Sequence, residues 1–310
     1  MKTIIISSSS FAGQIRDNYG FEVNQLIKVL KDYYDRYYLV YPPHVQHHFD
    51  DNGKKPKAFY RGEEISEATA LIVRNTDGCE EASRMLAMNL YTNQCELLDP
   101  PERFHGAIAT KSLMMLKGKK DRIIPPTYIV FNTDSAHQLI PFFENSKLYP
   151  MVGKPANGKQ GVDVKLLISS RQTRKYIQYF YSKYQENHSG IIFQKYIEIK
   201  KEYRALILDG RCLGLVEKMP AKKGIARNAY QGSRFVLVQN ETIKQYAVKY
   251  SNSKGLVGTD IAENEQNEFY LIETNRSPQW NAFENVTGIN VAREIMEALE
   301  KRMLVSSELF

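Results

Sequence analysis

Residues 255–280 read Gly-Leu-Val-Gly-Thr-Asp-Ile-Ala-Glu-Asn-Glu-Gln-Asn-Glu-Phe-Tyr-Leu-Ile-Glu-Thr-Asn-Arg-Ser-Pro-Gln-Trp. Two apolar runs joined by the polar residues 263–267 make a hairpin. Strand side chains alternate between faces, so Glu273 and Asn275 point the same way, about 6.5 Å apart along the strand, and Thr274 points away. A turn centred between Gln266 and Asn267 sets Asp260 directly opposite Glu273, where cross-strand Cβ atoms lie about 5 Å apart. Asp260, Glu273 and Asn275 then offer two carboxylates and an amide oxygen on one face. That donor set suits a hard cation such as Mg²⁺, which keeps some waters and takes further ligands from substrate phosphates. A wet sheet face would look the same, so the rest of the chain has to decide.

At 310 residues, 43% hydrophobic and 25% charged, the chain has the length and composition of two or three globular domains. Its three cysteines, Cys79, Cys95 and Cys212, form neither a Cys-x-x-Cys pair nor an even framework, which points to a reducing compartment. The apolar run after Met1-Lys2 stops at four serines, too short for a signal-peptide core, and no stretch reaches the roughly 18 to 20 apolar residues of a membrane span. A cytoplasmic protein without a membrane partner is expected. The net charge is +7 and the pI near 9.0, but Lys and Arg are spread along the chain rather than gathered in a tail, so nucleotide phosphates are a better match than nucleic acid.

Strand and helix signals alternate over the first hundred residues: a strand at 3–6, a helix from about Glu22, strands at 38–41 and 70–73, and a helix at 80–90. This favours a small open α/β domain. His44, His47 and His48 stand beside Asp50 and Asp51, but Pro42-Pro43 and Asn52-Gly53 mark an exposed loop rather than a metal site. A boundary falls near His105 to Thr110, before a short helix at 111–116. Tyr149 to Val152 reads as a strand that leads into Gly153-Lys154-Pro155-Ala156-Asn157-Gly158-Lys159-Gln160-Gly161, then a second strand. A glycine-rich hairpin lets backbone N–H groups turn toward a phosphate, with Lys154 as a point charge. It is no Walker loop, since neither Gly158 nor Gly161 is followed by Lys-Ser/Thr. A helix at 171–184 precedes the buried strand 191–197. The strand 202–208 carries Glu202 and Arg204 on one face and ends at Asp209-Gly210, a strong two-residue hairpin signal. Residues 220–233 are polar, basic and glycine-containing, a composition that fits a loop over a site. Helices are expected at 241–251 and 290–301.

These segments, in this order, resemble the ATP-grasp ligases, most closely the RimK-like branch that joins amino acids to peptide or protein carboxylates. The likeness runs from Ile72-Val73-Arg74 and Thr110-Lys111 through Lys154-Pro155, Gln194 to Ile197, Glu202-x-Arg204, Arg227-Asn228 and Gly258-Thr259-Asp260-Ile261 to Glu273-Thr274-Asn275-x-Ser277-Pro278. It implies a three-lobed fold: an N-terminal α/β domain at 1–108, a central α+β lobe at 109–188, and a C-terminal α+β lobe with the metal site at 189–310, the two lobes clamping ATP. It makes Lys111 and Lys154 phosphate ligands, with Asn157, Gly158, Lys159, Gln160 and Gly161 over the triphosphate. Gln194, Lys195, Tyr196 and Ile197 become the hinge at the adenine edge, and Glu202 the acceptor for the ribose hydroxyls. Asp260, Glu273 and Asn275 would hold two Mg²⁺ ions, with Mn²⁺ as a substitute, and Arg204, Arg227 and Asn228 would meet the γ-phosphoryl group. The implied reaction joins a carboxylate substrate to an amine substrate through an acyl phosphate, and homo-oligomers are common in the family.

Two departures bear on the substrate. Lys159-Gln160 stand where the family often has small residues, and Gln279-Trp280 follow Ser277-Pro278 where glutamate-adding members usually have Gly. The Gln-Trp pair is similar to the ATP-grasp macrocyclases that tie side chains of ribosomal peptides into esters or amides, which makes macrocyclisation the first alternative. A second alternative, from another class, is a non-catalytic nucleotide-responsive binding protein.

Overall fold

The computed structural model describes residues 1–12, 19–49, 55–104, 124–156, 161–184, 186, 189–219, 234–251 and 254–307. Chain order begins with β1 (Thr3–Ser7), α1 (Phe21–Leu30) and β2 (Arg36–Val40), continues through a small antiparallel sheet of β3 (Val45–His48), β4 (Lys57–Tyr60) and β5 (Glu63–Glu64), and returns to β6 (Ala70–Val73), α2 (Glu80–Thr92) and β7 (Glu96–Leu97). Strands β2-β1-β6-β7 form one parallel sheet in that order. The fully buried run in β1, Thr3 to Ser7, is what a strand covered on both faces requires. The histidine-bearing segment differs from the loop expected of it. Residues 45–48 pair with β4, and His47 meets Asn89 through its Nδ1 at 3.1 Å, because the alternation Val45, Gln46, His47, His48 suits a half-buried edge. Asp50 and Asp51 lie outside the described residues.

The central sheet takes β8 (Thr127–Val130), β9 (Met151–Pro155), β10 (Lys165–Leu167) and β11 (Ile191–Lys195), in the order β10-β9-β11-β8. Two helices cover one face, α3 (Thr133–Asn145) and α4 (Ser170–Lys183). Each starts where a side-chain oxygen caps it: Asn132 accepts from Ser135 N–H and Ser169 from Gln172 N–H. Met151, Leu167, Ile191 and Phe193 point into that helical core. Alternation therefore sends Val152, Lys154, Ile192 and Gln194 to the opposite face. The sheet that opens in the 109–188 segment is completed by β11, so the switch to the next sheet comes after Lys195.

The last sheet runs β14-β13-β12-β15-β16, from β12 (Ile199–Leu208), β13 (Arg211–Met219), β14 (Arg234–Leu237), β15 (Leu256–Asn264) and β16 (Phe269–Asn275). The helix α5 (Glu241–Ser251) packs on the face formed by Tyr203, Ala205, Ile207, Leu215, Val257, Ile261 and Leu271. The other face is divided. Leu206, Leu208, Val216 and Leu256 join Trp280, α6 (Asn281–Thr287) and α7 (Val291–Ser307) in a core shared with Ile4, Ile6 and α1 of the N-terminal sheet. Beyond that apolar half the same face turns polar.

Among the described residues no helix is long and apolar enough to cross a membrane, and the three cysteines are free.

Candidate nucleotide and cation site

Asp260 stands opposite Glu273, as the sequence implied, but by a different route. The outer rungs pair Glu263 with Phe269, Ala262 with Tyr270 and Ile261 with Leu271, which centres the hairpin on Gln266; the register then shifts by one residue at Ile272, and Asp260 meets Glu273. Asn264 shapes the turn by accepting from the N–H groups of Gln266 and Glu268 at 3.0 and 2.8 Å. A bulge of this kind re-aims the side chains that follow it. Without it, Asp260 would face Ile272.

A second bulge operates on the neighbouring hairpin. Ile207 pairs with Cys212 but Leu206 with Gly214, so Leu213 is the extra residue and every later rung is displaced by one. The consequence is that Lys218, rather than Glu217, lies beside Glu202. Its Nζ donates to Glu202 Oε1 at 2.7 Å and to Asp260 Oδ2 at 2.5 Å, and the side chain is only 2% exposed. Arg204, opposite Asp260 across β12 and β15, forms a fork to it: Nε to Oδ1 and Nη2 to Oδ2, both 2.8 Å. Lys218 is the residue that sequence reasoning missed. The uninterrupted hairpin expected from Asp209-Gly210 turns it to the wrong face.

Electrostatics follow from this geometry. Burial works to raise the Asp260 carboxyl, but the charges and hydrogen bonds of Arg204 and Lys218 outweigh it and hold the group well below the usual carboxylate range. Burial raises Glu202 despite Lys218. Burial also acts against the Arg204 charge, and Asp260, with help from Glu273 and Glu202, more than restores it. The result is a buried cluster in which carboxylates and cations alternate.

On the face of the central sheet away from its helices, Lys154 Nζ donates to Gln194 Oε1 at 2.9 Å, and Gln194 Nε2 donates to Thr127 Oγ1 at 2.8 Å. Lys195 turns its ammonium back to the carbonyls of Leu148 and Tyr149, so its side chain braces the hinge and leaves only backbone groups for a ligand. Tyr196, Ile197 and Glu198 are the whole connection between β11 and β12. They line, with Pro126, Asn264, Gln266 and Tyr270, a cleft of about 450 Å³ at the hinge end of the polar face. Tyr270 pairs with Ala262, two residues along β15 from Asp260, and so belongs to that face.

Among the described residues no group of three His, Cys, Asp or Glu side chains converges. The donors expected from the sequence are the two carboxylates and the Asn275 amide, whose Oδ1 already accepts from Ser277 N–H at 2.9 Å and keeps a second lone pair. Such a sparse set fits a cation completed by phosphate oxygens and water. Lys111, Asn157, Gly158, Lys159, Gln160, Arg227 and Asn228 lie outside the described residues, as do the short helix expected at 111–116 and the loop 220–233.

Gly161 is described, with φ of 74°, a conformation glycine adopts without strain. Two residues on, Asp163 is clamped by the helix α4: Tyr179 Oη donates to Oδ1 at 2.7 Å, Lys183 Nζ and Tyr184 Oη to Oδ2 at 2.7 and 2.5 Å, and Tyr176 Oη to its carbonyl at 3.0 Å. These bonds, Lys183 first, lower the Asp163 carboxyl to about 2. A folded-state pKa below the ordinary value of about 3.9 stabilises the fold above that value, and the contribution fades as the pH falls from about 4 to about 2. Asp163→Asn is therefore expected to lower the urea midpoint at pH 7 and to leave a smaller gap to the wild type at pH 3; an equal gap at both would assign the loss to packing.

A model of the RimK-like ATP-grasp domain matches residues 109–299. A "Probable alpha-L-glutamate ligase" of Chromohalobacter salexigens is 24% identical over 257 residues, 80% of this chain and 81% of that protein. Relatives of the same name can be longer: the match to one from Shewanella halifaxensis covers 50% of this chain and 34% of that protein. Among solved structures, the ATP-grasp ligase PsnB, complexed with a phosphomimetic variant of its minimal precursor, Mg and ADP, superposes with a TM-score of 0.68 at 13% identity, covering 97% of this chain and 98% of that one. The macrocyclase MdnC of Microcystis aeruginosa, bound with its precursor peptide MdnA, gives 0.64 at 15% identity, with 96% and 99% covered. At these identities the superpositions establish a shared fold.

Proposed function

Since the chain belongs to the RimK-like ATP-grasp family, whose members are ADP-forming carbon–nitrogen ligases, we propose that it is an ATP-dependent carboxylate–amine ligase that adds an amino acid to a peptide, protein or small carboxylate acceptor. The observation that carries this reading is the Asp260–Glu273 rung with Arg204 and Lys218 locked onto it. ATP-grasp ligases use ATP and Mg²⁺. Here Asp260, Glu273 and Asn275 are the residues that would hold the cations, which supply Lewis acidity at the phosphates.

The chain's own groups have defined tasks in this proposal. Lys154 and Lys218 neutralise phosphate charge, Arg204 stabilises the γ-phosphoryl group in transfer, and the backbone of 195–197 seats the adenine edge. A substrate carboxylate oxygen attacks the γ-phosphorus, the bond to the β-phosphate oxygen breaks and ADP leaves. An amine then attacks the acyl carbon of the acyl phosphate, phosphate departs and the amine loses a proton. Two anions meet in the first step, which is why preorganised positive charge is the chief catalyst. Water must be kept from the acyl phosphate, a physical reason for a loop that closes over the site.

Peptide macrocyclisation stays as the second reading because the macrocyclase MdnC, bound to its precursor peptide, shares the fold over nearly the whole chain. Gln279-Trp280 does not argue for it: Trp280 is 0% exposed within the shared core, an anchor rather than a substrate contact. The test is mass spectrometry of products formed by the purified protein from ATP, Mg²⁺, free amino acids and peptide acceptors. Added amino-acid masses support the ligase, and loss of water within one peptide, without addition, replaces it with the macrocyclase.

A further inference from the structure

The turn that follows Asn275 is held from another domain. Arg74, just past β6 in the N-terminal sheet, donates from Nη2 to the Pro278 carbonyl at 2.8 Å, and its guanidinium lies 4.4 Å from the centre of the Trp280 ring. Its own carbonyl accepts from Ser277 Oγ. Glu22 of α1 accepts from the Trp280 backbone N–H at 3.1 Å. On the opposite side Pro278 is seated against Gly258: a Cβ built there would lie 2.8 Å from the Pro278 Cβ. Gly258 is the rung partner of Asn275, and Asn275 in turn is tied to Ser277. A continuous path of contacts thus leads from Arg74 to the amide that completes the cation donor set.

The Arg74 side chain is poorly explained as a stabiliser. It is 8% exposed, and burial acts against its charge more strongly than the attraction of Glu22 and Asp99 restores it. A buried cation whose desolvation exceeds the attraction of its neighbouring carboxylates is costly, and an apolar residue of similar volume often serves stability as well or better. What a guanidinium offers and an apolar side chain lacks is direction: a planar fork that stacks on one group while donating to another.

We propose that Arg74 is a positioning residue for the cation site, fixing the Ser277–Trp280 turn from the N-terminal domain so that the Asn275 amide oxygen stands beside the Asp260–Glu273 rung. The cation site is then complete only when the N-terminal domain is docked on the last sheet. The proposal rests on the ligase reading above.

The test is calorimetric titration of ADP into the wild type, Arg74→Met and Arg74→Lys across a series of Mg²⁺ concentrations, with urea midpoints measured in parallel. Arg74→Met is expected to keep a midpoint at or near the wild-type value, to bind ADP normally without Mg²⁺, and to need roughly tenfold more Mg²⁺ for half-maximal enhancement of ADP binding, equivalent to about 1.4 kcal/mol. Arg74→Lys, which keeps the charge but not the fork, is expected to show the same defect and stands in if the Met variant is unstable. An unchanged Mg²⁺ requirement in either folded variant overturns the proposal. Unfolding of both would make Arg74 a structural residue and overturns it as well. If the wild type itself shows no Mg²⁺-dependent ADP binding, it is the ligase reading that fails, and the positioning role with it.

Discussion

Glu273→Gln is expected to reduce ADP release by roughly a hundred- to a thousandfold, equivalent to about 3 to 4 kcal/mol of transition-state stabilisation, while leaving the fold intact. The substitution keeps the shape and removes one charge from the rung facing Asp260. Asp260 has both oxygens engaged by Arg204 and Lys218, and Glu273 brings the second carboxylate of the rung. Retained turnover in a variant with a wild-type urea midpoint would remove Glu273 from the metal site.

Asp260→Ala is expected to act on stability as well as activity. It strips the shared carboxylate from two buried cations. Lys218 would keep Glu202, but Arg204 would lose the only fork partner it has among the described residues. Removing one member of a buried ion pair costs about 3 to 5 kcal/mol, because the remaining charge has no compensation. Adding Arg204→Met to this background is expected to recover part of the loss, since an apolar side chain of similar length tolerates the site better than an unpaired guanidinium. Urea unfolding of the two single variants and the double variant measures this directly. A loss below about 1 kcal/mol in Asp260→Ala would mean that water enters the network freely.

Much of this arrangement is legible in the chain. Alternation alone places Glu273 with Asn275, Glu202 with Arg204, and Lys154 on the strand face turned away from the helices of the central sheet. The helices expected at 80–90, 171–184 and 241–251 stand at 80–92, 170–183 and 241–251. What escapes a reading of this kind is register. The extra residues Leu213 and Ile272 have no distinctive chemistry, yet they decide that Lys218 and Glu273 face the site. Long-range docking is equally invisible: nothing near Trp280 in sequence predicts that its ring is covered by Arg74, two hundred residues earlier. The Asp163 clamp also depends on helix packing, because its donors lie 13 to 21 residues further on.

These features share a physical logic. The polar half of the last sheet's face is bounded by an apolar half that belongs to the N-terminal core, so the charged residues sit where burial is deep enough to strengthen their interactions and open enough to admit a ligand. Departure of the N-terminal domain would hydrate the site and loosen the Ser277–Trp280 turn together. Domain docking and site completeness are therefore coupled by construction.

The most direct measurement is the fate of ATP in the presence of carboxylate and amine substrates, followed by phosphorus NMR and mass spectrometry on the same sample. The account predicts ADP and inorganic phosphate in equal amounts with a product whose mass is the sum of two substrates less one water. AMP with pyrophosphate, or ADP formed without any joined product under every substrate mixture, would contradict it.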